Sequence, residues 1–263
     1  MTARAKPPRR AAHRADFATV LFEKREGIAC VTLNRPEVFN AYNVQMRDDL
    51  YQVLTAIHED SEVRAMVLAG AGKAFSTGGD VSEFGQAPSP IVARWVRFRR
   101  DVWGLLRSLP IPTIAAVHGF TVGGGLEMAL LCDFTVAADD TRICLPESGL
   151  GMIPGVAGTQ TAPRRGGLGM GLDLCITGRW IDAKEALRVG LVAEIVRLSS
   201  LDRRAHWWAR SLSRLPRDLV SAAKLAVHRG LDMPLREALE FERRLAKMIN
   251  PGRRKLVEKQ DYD

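Results

Sequence analysis

The stretch Thr113-Ile114-Ala115-Ala116-Val117-His118-Gly119-Phe120-Thr121-Val122-Gly123-Gly124-Gly125-Leu126-Glu127-Met128-Ala129-Leu130-Leu131-Cys132 decides how this chain folds. It opens on a short, continuous apolar run of the kind found in strands buried on both faces. Three consecutive glycines follow, then a helical segment that is apolar on nearly every side. Such a helix has to be buried, so Glu127 in its first turn is carried into the interior. His118, Glu127 and four glycines argue against a membrane span. The reading is strand, glycine turn and buried helix, one turn of an α/β architecture.

The same alternation extends outward from this stretch. Ala18 to Phe22 and Ile28 to Leu33 are β-rich runs separated by Glu23-Lys24-Arg25-Glu26-Gly27, which predicts a hairpin. Asn43 is placed to cap a helix with Val44, Met46, Leu50, Val53, Leu54 and Ile57 at helical spacing. Arg64 to Leu68 reads as a strand, followed by a glycine-rich loop from Ala69 to Asp80. A helix is expected over Ile91 to Leu109, with short strands at Phe134 to Ala137, Arg142 to Leu145 and around Leu191 to Val196. Beyond residue 199 only amphipathic helical stretches follow: Leu201–Leu212, Leu219–Arg229, Leu235–Ile249 and Arg254–Gln260. The expected organisation is a basic tail over 1–16, an α/β core over 17–198 and a helical module over 199–263.

Composition narrows the function classes. With 263 residues, 46% hydrophobic and 26% charged, the chain has the profile of a soluble globular protein with a sizeable core. The net charge of +8 suggests nucleic acid until it is located. Arg4, Lys6, Arg9, Arg10 and Arg14 carry five of the eight charges with no acid among residues 1–15, which leaves only +3 for the remainder. That segment, rich in Pro and Arg, reads as a solvated, disordered tail. A nucleic-acid-binding reading would rest on it and on basic helices such as the one carrying Arg203-Arg204, but no interleaving of aromatic and basic residues accompanies them. Cys30, Cys132, Cys144 and Cys175 form no CxxC pair, and no signal peptide is visible, so reduced thiols in a cytoplasmic protein are expected. The five histidines have no metal-ligand spacing, and no metal is expected.

The motifs point to chemistry without a covalent intermediate. There is no P-loop, no G-x-G-x-x-G and no G-x-S-x-G. What stands out is a pair of acids in glycine-rich company. Glu127 closes Gly123-Gly124-Gly125-Leu126-Glu127, and Glu147 follows Pro146 and leads into Ser148-Gly149-Leu150-Gly151. A second glycine turn, Phe75-Ser76-Thr77-Gly78-Gly79-Asp80, resembles the first in character. Two turns that each present a backbone N–H to one oxygen would stabilise a carbonyl as it gains negative charge. Two carboxylates can divide the roles of acid and base when their surroundings separate their proton affinities. Taken singly, each glycine turn could serve close packing alone, and Pro-Glu could merely open a turn.

These stretches resemble the enoyl-CoA hydratase/isomerase (crotonase) family. The likeness runs through Leu33-Asn34-Arg35-Pro36 with Asn40-Ala41, Gly72-Lys73-Ala74-Phe75, Gly78-Gly79-Asp80 and Val117-His118-Gly119. It continues through Gly123-Gly124-Gly125-Leu126-Glu127, Cys132-Asp133, Pro146-Glu147, Gly151, Ile153-Pro154-Gly155, Gly158-Thr159-Gln160 and Thr177-Gly178. The resemblance implies an α/β right-handed spiral of ββα units with a helical C-terminal trimerisation region, and homotrimers often paired into hexamers. It implies oxyanion-hole N–H groups on Gly79 and Gly124, catalytic acids on Glu127 and Glu147, and substrate contacts along Gly79, Asp80, Val81, Ser82 and Gly124. The substrate would be an acyl-CoA and no separate cofactor is implied; neither membrane nor nucleic acid is an expected partner. Retention of both acids resembles a hydratase, which adds water across the double bond of a 2-enoyl-CoA. Double-bond isomerisation, or a specialised aromatic or polyketide step, is the alternative within the family. Which glutamate is acid and which base stays open. The sequence departs from the family at Ser82, where a lysine that helps hold coenzyme A is common, and at Gly79, where alanine is commoner.

Overall fold

The computed structural model describes residues 13–89, 91–92, 95–96 and 99–249. Two compact units divide between Ser213 and Arg214. Within the first unit, the strands are β1 (His13–Asp16), β2 (Val20–Arg25), β3 (Ile28–Leu33), β4 (Ala65–Gly70), β5 (Ala74–Ser76), β6 (Thr113–Val117), β7 (Phe120–Val122), β8 (Phe134–Ala138), β9 (Arg142–Cys144), β10 (Ile181–Asp182) and β11 (Glu194–Val196). Its helices are α1 (Val44–Glu59), α2 (Val102–Ser108), α3 (Gly124–Leu131), α4 (Gly158–Thr177), α5 (Ala183–Arg188) and α6 (Leu201–Ser213).

Among the described residues the strands form a seven-stranded sheet in the order β1-β2-β3-β4-β6-β8-β11 and a four-stranded sheet in the order β10-β9-β7-β5. The expected hairpin is β2–β3, closed in the register Arg25↔Ile28. Glu26 and Gly27 both have positive φ (52° and 77°), as a tight turn matching the strand twist requires. From β3 to β11 the large sheet is parallel, and so is β5-β7-β9 in the small one. The repeat is therefore visible in the connectivity: β4-β5-α2, β6-β7-α3 and β8-β9-α4 each place one strand in the large sheet, the next in the small sheet, then a helix. This is the ββα spiral.

Burial explains why the central strands are apolar throughout. Along β4, Met66 and Leu68 enter the main core, while Ala65 and Val67 face the opposite side. Along β6, Ala115 and Val117 enter the main core, and Ile114 and Ala116 face the other way. Helix α6 covers that second face with Leu201, Ala205 and Ala209. Strands sandwiched between two layers have no solvated face on which to put polar residues.

Three expectations need correction. Residues 13–16 are not part of a tail: they pair with β2 from Asp16↔Leu21 to His13↔Lys24. Residues 1–12 lie outside the described residues, as does the helix expected at 254–260. Helix α6 belongs to the first unit, because its small apolar residues are what cap the large sheet, so the helical unit starts at 214 rather than 199. Helix α4 was not expected at all, since Pro163 and glycines at 158, 166, 167, 169 and 171 disguise it; its path breaks at Gly167, with φ 81°. The second unit holds α7 (Arg217–Gly230) and α8 (Leu235–Met248).

Among the described residues no helix is long and apolar enough to cross a membrane.

Candidate active site

The site follows from the topology of the small sheet. Strands β5, β7 and β9 are adjacent and parallel, so their C-terminal ends lie along one edge. The chain leaves β5 into Gly78-Gly79, leaves β7 into Gly123-Gly124, and leaves β9 into Pro146-Glu147. Three motifs far apart in sequence converge because three parallel strands end side by side, the usual location for ligand sites in such sheets.

The two glycine turns touch backbone to backbone. Gly78 has φ 85°, and a Cβ there would stand 2.9 Å from the nitrogen of Gly124. A Cβ on Gly124 would meet the Cα of Gly78 at 3.5 Å and the nitrogen of Gly79 at 3.6 Å. A Cβ on Gly125 would come within 2.3 Å of the Ser76 carbonyl oxygen, so α3 can seat against β5 only with glycine at its start. Among the described residues neither the Gly79 N–H nor the Gly124 N–H has a protein acceptor. Two neighbouring backbone donors are thus left for a ligand oxygen.

The Gly79 loop is held from beneath. Asn40, fully buried with φ 56°, donates through Nδ2 to the carbonyls of Ala71 and Ala74, both at 2.8 Å, and accepts the Arg35 N–H at 2.8 Å. Ser76 donates its hydroxyl to the Asn40 carbonyl at 2.8 Å and accepts the Gly78 N–H at 3.2 Å. Asp80 accepts from Ser82 through both N–H and hydroxyl, at 3.1 and 2.6 Å, and pairs with Arg35 at 2.8 Å. The Ser82 hydrogen bond and the Arg35 guanidinium hold the Asp80 carboxyl below the ordinary carboxylate range. Of the residues expected to contact substrate, Asp80 is therefore occupied in bracing the loop, and Val81 and Ser82 lie exposed just beyond it. Asn40, Ser76 and Arg35 carry no chemistry visible in sequence; only their partners across the spiral give them a role.

Glu127 is 1% exposed. One of its oxygens, Oε1, accepts three consecutive backbone N–H groups at the start of α4: Val156 at 3.0 Å, Ala157 at 2.8 Å and Gly158 at 2.6 Å. A helix N-terminus offers unpaired donors and a favourable dipole to such an oxygen. Oε1 is thereby saturated as an acceptor, and Oε2 is the oxygen nearer Gly124. These three donors were not expected, because the helix that supplies them was hidden by its own glycines and proline.

Glu147 contrasts with it. It is half-buried in a 3-10 turn over Pro146–Leu150, and its Oε2 is buried without a hydrogen-bond partner among the described residues. Oε1 lies where a side chain on Gly123 would be, 2.7 Å from that Cβ position. Burial first, and the neighbouring Glu127 charge second, push the Glu147 carboxyl above the ordinary range. The arrangement supplies one carboxylate fastened by amides and one that binds a proton more readily. Nearby thiols offer no nucleophile: burial and the Glu147 charge push Cys144 up to about 12, and the same causes raise Cys175. The sequence motifs thus bring Gly79, Gly124, Glu127 and Glu147 together.

Comparison with known proteins bears on the fold and the family of this chain. The enoyl-CoA hydratase/isomerase family model matches residues 23–260. A short-chain-enoyl-CoA hydratase of Clostridium acetobutylicum is 39% identical over 228 residues, 86% of this chain and 87% of that protein. A crotonyl-CoA hydratase of Syntrophomonas wolfei is 34% identical over 86% of this chain and 87% of its own length. The crystal structure of an enoyl-CoA hydratase from Bacillus anthracis superposes with a TM-score of 0.80 at 33% identity, covering 90% of this chain and 89% of the other. With its ββα spiral and a match spanning nearly the whole sequence, the chain belongs to the enoyl-CoA hydratase/isomerase family.

Proposed function

We propose that this chain is an enoyl-CoA hydratase that adds water reversibly across the double bond of a 2-enoyl-CoA to give the 3-hydroxyacyl-CoA. The observation that carries the reading is the convergence of two carboxylates in unlike environments beside two backbone N–H groups with no acceptor among the described residues. Relatives named as hydratases across most of the chain support the same reaction.

The thioester oxygen accepts from the N–H groups of Gly79 and Gly124, which draws electron density from the double bond and leaves C3 electrophilic. One water lies between the acids. Its oxygen bonds to C3 while its proton passes to Glu127. Because Oε1 is saturated by three amides, that proton goes to Oε2. Glu147, whose proton affinity is raised by burial, gives its proton to C2. The net change in substrate is the addition of one water, and the enzyme resets by moving one proton from Glu127 back to Glu147 through solvent. No cofactor is called for beyond the coenzyme A carried by the substrate. Ser82, tied to Asp80, offers no cation to coenzyme A at the position where the resemblance leads one to expect a lysine.

We also propose that the working molecule is a trimer or a pair of trimers. The exposed Leu219, Leu225, Val227 and Leu231 of the α7 region, and Leu235, Leu239 and Met248 of α8, support self-association.

The test of the reaction is hydration of crotonyl-CoA followed by loss of the enoyl absorbance and identification of 3-hydroxybutyryl-CoA. Glu127→Gln and Glu147→Gln are each expected to lower kcat by about 10²–10⁴, with unchanged circular dichroism. Near-normal turnover by both variants, or a shifted double bond as the sole product, would rule the reading out.

A further inference from the structure

We infer that Phe84 is a specificity-determining residue: its ring stands beside the thioester-oxygen donor of Gly79, occupies the room an alanine side chain would need there, and restricts the acyl group to substrates unsubstituted at C2. The inference rests on the hydratase reading and goes beyond it by naming the substrate class.

A Cβ on Gly79 would lie 3.1 Å from Cζ and 3.3 Å from Cε1 of Phe84, tighter than ordinary van der Waals contact. Gly79 does not have a left-handed φ, so backbone strain is not what calls for glycine at this position. What a side chain there would meet is the ring, which would have to give by a few tenths of an ångström.

The turn carrying the ring is fixed on three sides. Glu83, the preceding residue, accepts the Val44 N–H at 3.0 and 3.3 Å through its two carboxylate oxygens, at the start of α1. Asp80 holds Ser82 and is itself held by Arg35. Phe84 donates its own N–H to the Val81 carbonyl at 3.1 Å. Yet the side chain is 48% exposed, so it is not a core residue whose position packing alone explains. An apolar ring edge set beside the Gly79 donor, and left open to solvent, is suited to meeting the carbons next to the thioester. A flat, straight enoyl group passes such an edge. A substituent on C2, the carbon bonded to the thioester carbonyl, collides with it. One methyl group in an apolar pocket is worth about 10–200-fold in selectivity.

The experiment compares kcat/KM for crotonyl-CoA and 2-methylcrotonyl-CoA in the wild type, Phe84→Ala, Phe84→Leu, Gly79→Ala and the double variant Gly79→Ala/Phe84→Ala. We expect Phe84→Ala to raise the ratio of the 2-methyl to the straight substrate at least tenfold, with Phe84→Leu shifting it the same way to a smaller extent. Leucine keeps apolar cover on the turn, so it serves if the alanine variant fails to fold. Gly79→Ala is expected to lower the crotonyl-CoA rate at least tenfold in the wild type and by less than threefold once Phe84 is alanine, a coupling that two independent sites would not give. An unchanged substrate ratio in both Phe84 variants, with crotonyl-CoA still hydrated, overturns this inference alone. Failure of the wild type to hydrate any of the substrates overturns the hydratase reading and this inference with it.

Discussion

At the scale of single residues, the site keeps one group in an unfavourable environment on purpose. Glu147 has a buried oxygen with no partner among the described residues and a carboxyl pushed up by burial and by Glu127. A carboxyl whose proton affinity is higher in the folded than in the unfolded state favours folding fully only below the unfolded range. That stability is lost as pH rises through the folded value. At neutral pH, where the carboxyl ionises freely once the chain unfolds, the buried group therefore opposes folding. Glu147→Gln is expected to raise the melting temperature at pH 7 by on the order of a few °C, and the gain should shrink towards zero near pH 4. Differential scanning calorimetry at both pH values checks this, and a lower melting temperature at pH 7 would contradict it. Asp80 behaves oppositely: its Ser82 hydrogen bond and Arg35 partner lower its proton affinity, so its support for the loop is present at neutral pH and lost on acidification.

At the scale of elements, the junction between α3 and α4 aligns the chemistry. Glu127 rises from the first turn of α3 and is fastened by the first amides of α4, and Gly158 lies against it. A Cβ at Gly158 would meet Pro154 Cβ at 2.8 Å, Glu127 Oε1 at 3.1 Å and Glu127 Cγ at 3.2 Å. Gly158→Ala should therefore push the carboxylate off its amides and lower kcat by roughly 10–100-fold, the effect expected of a small misplacement. Gly149→Ala, where the added atom meets nothing within 4 Å, should leave kcat unchanged. Equal kcat for both variants in a steady-state assay would contradict this. The same junction shows what was legible in the sequence. β4, β6 and α3 were readable because burial on every side leaves an unbroken apolar signature, and the turns were readable because close backbone contact leaves glycines. Helix α4 was not, because its glycines and Pro163 answer to tertiary contacts: a Cβ on Gly171 would lie 2.6 Å from Pro163 Cβ, so the two positions are fitted to each other. Residues that act by bracing, such as Asn40 and Ser76, were equally silent, since their partners lie far away in sequence and only the spiral brings them near.

At the scale of the whole molecule, the second unit has surface chemistry that one copy of the chain leaves unused. Helix α8 is strongly amphipathic, and among its described residues none is buried. Leu235 is 75% exposed and Met248 77%. Both helices present leucines to solvent together with Arg229, Arg236, Arg243 and Arg244, a pattern in which apolar stripes bordered by charge suit a specific partner better than indiscriminate aggregation. The proposed occupant is another copy of the chain, and closed rotational symmetry would limit the assembly to a few copies. Light scattering coupled to gel filtration is expected to give three or six times the 29.0 kDa chain mass. Leu235→Asp combined with Leu239→Asp should shift the mass towards one copy, because a carboxylate buried in an apolar contact is costly unless paired. Since both acids and both donor glycines lie in the first unit, the same variant should still bind and hydrate crotonyl-CoA, with any loss appearing in KM before kcat. A wild-type mass of one chain, stable from micromolar to millimolar concentration, would refute the assembly while leaving the chemistry of the site untouched.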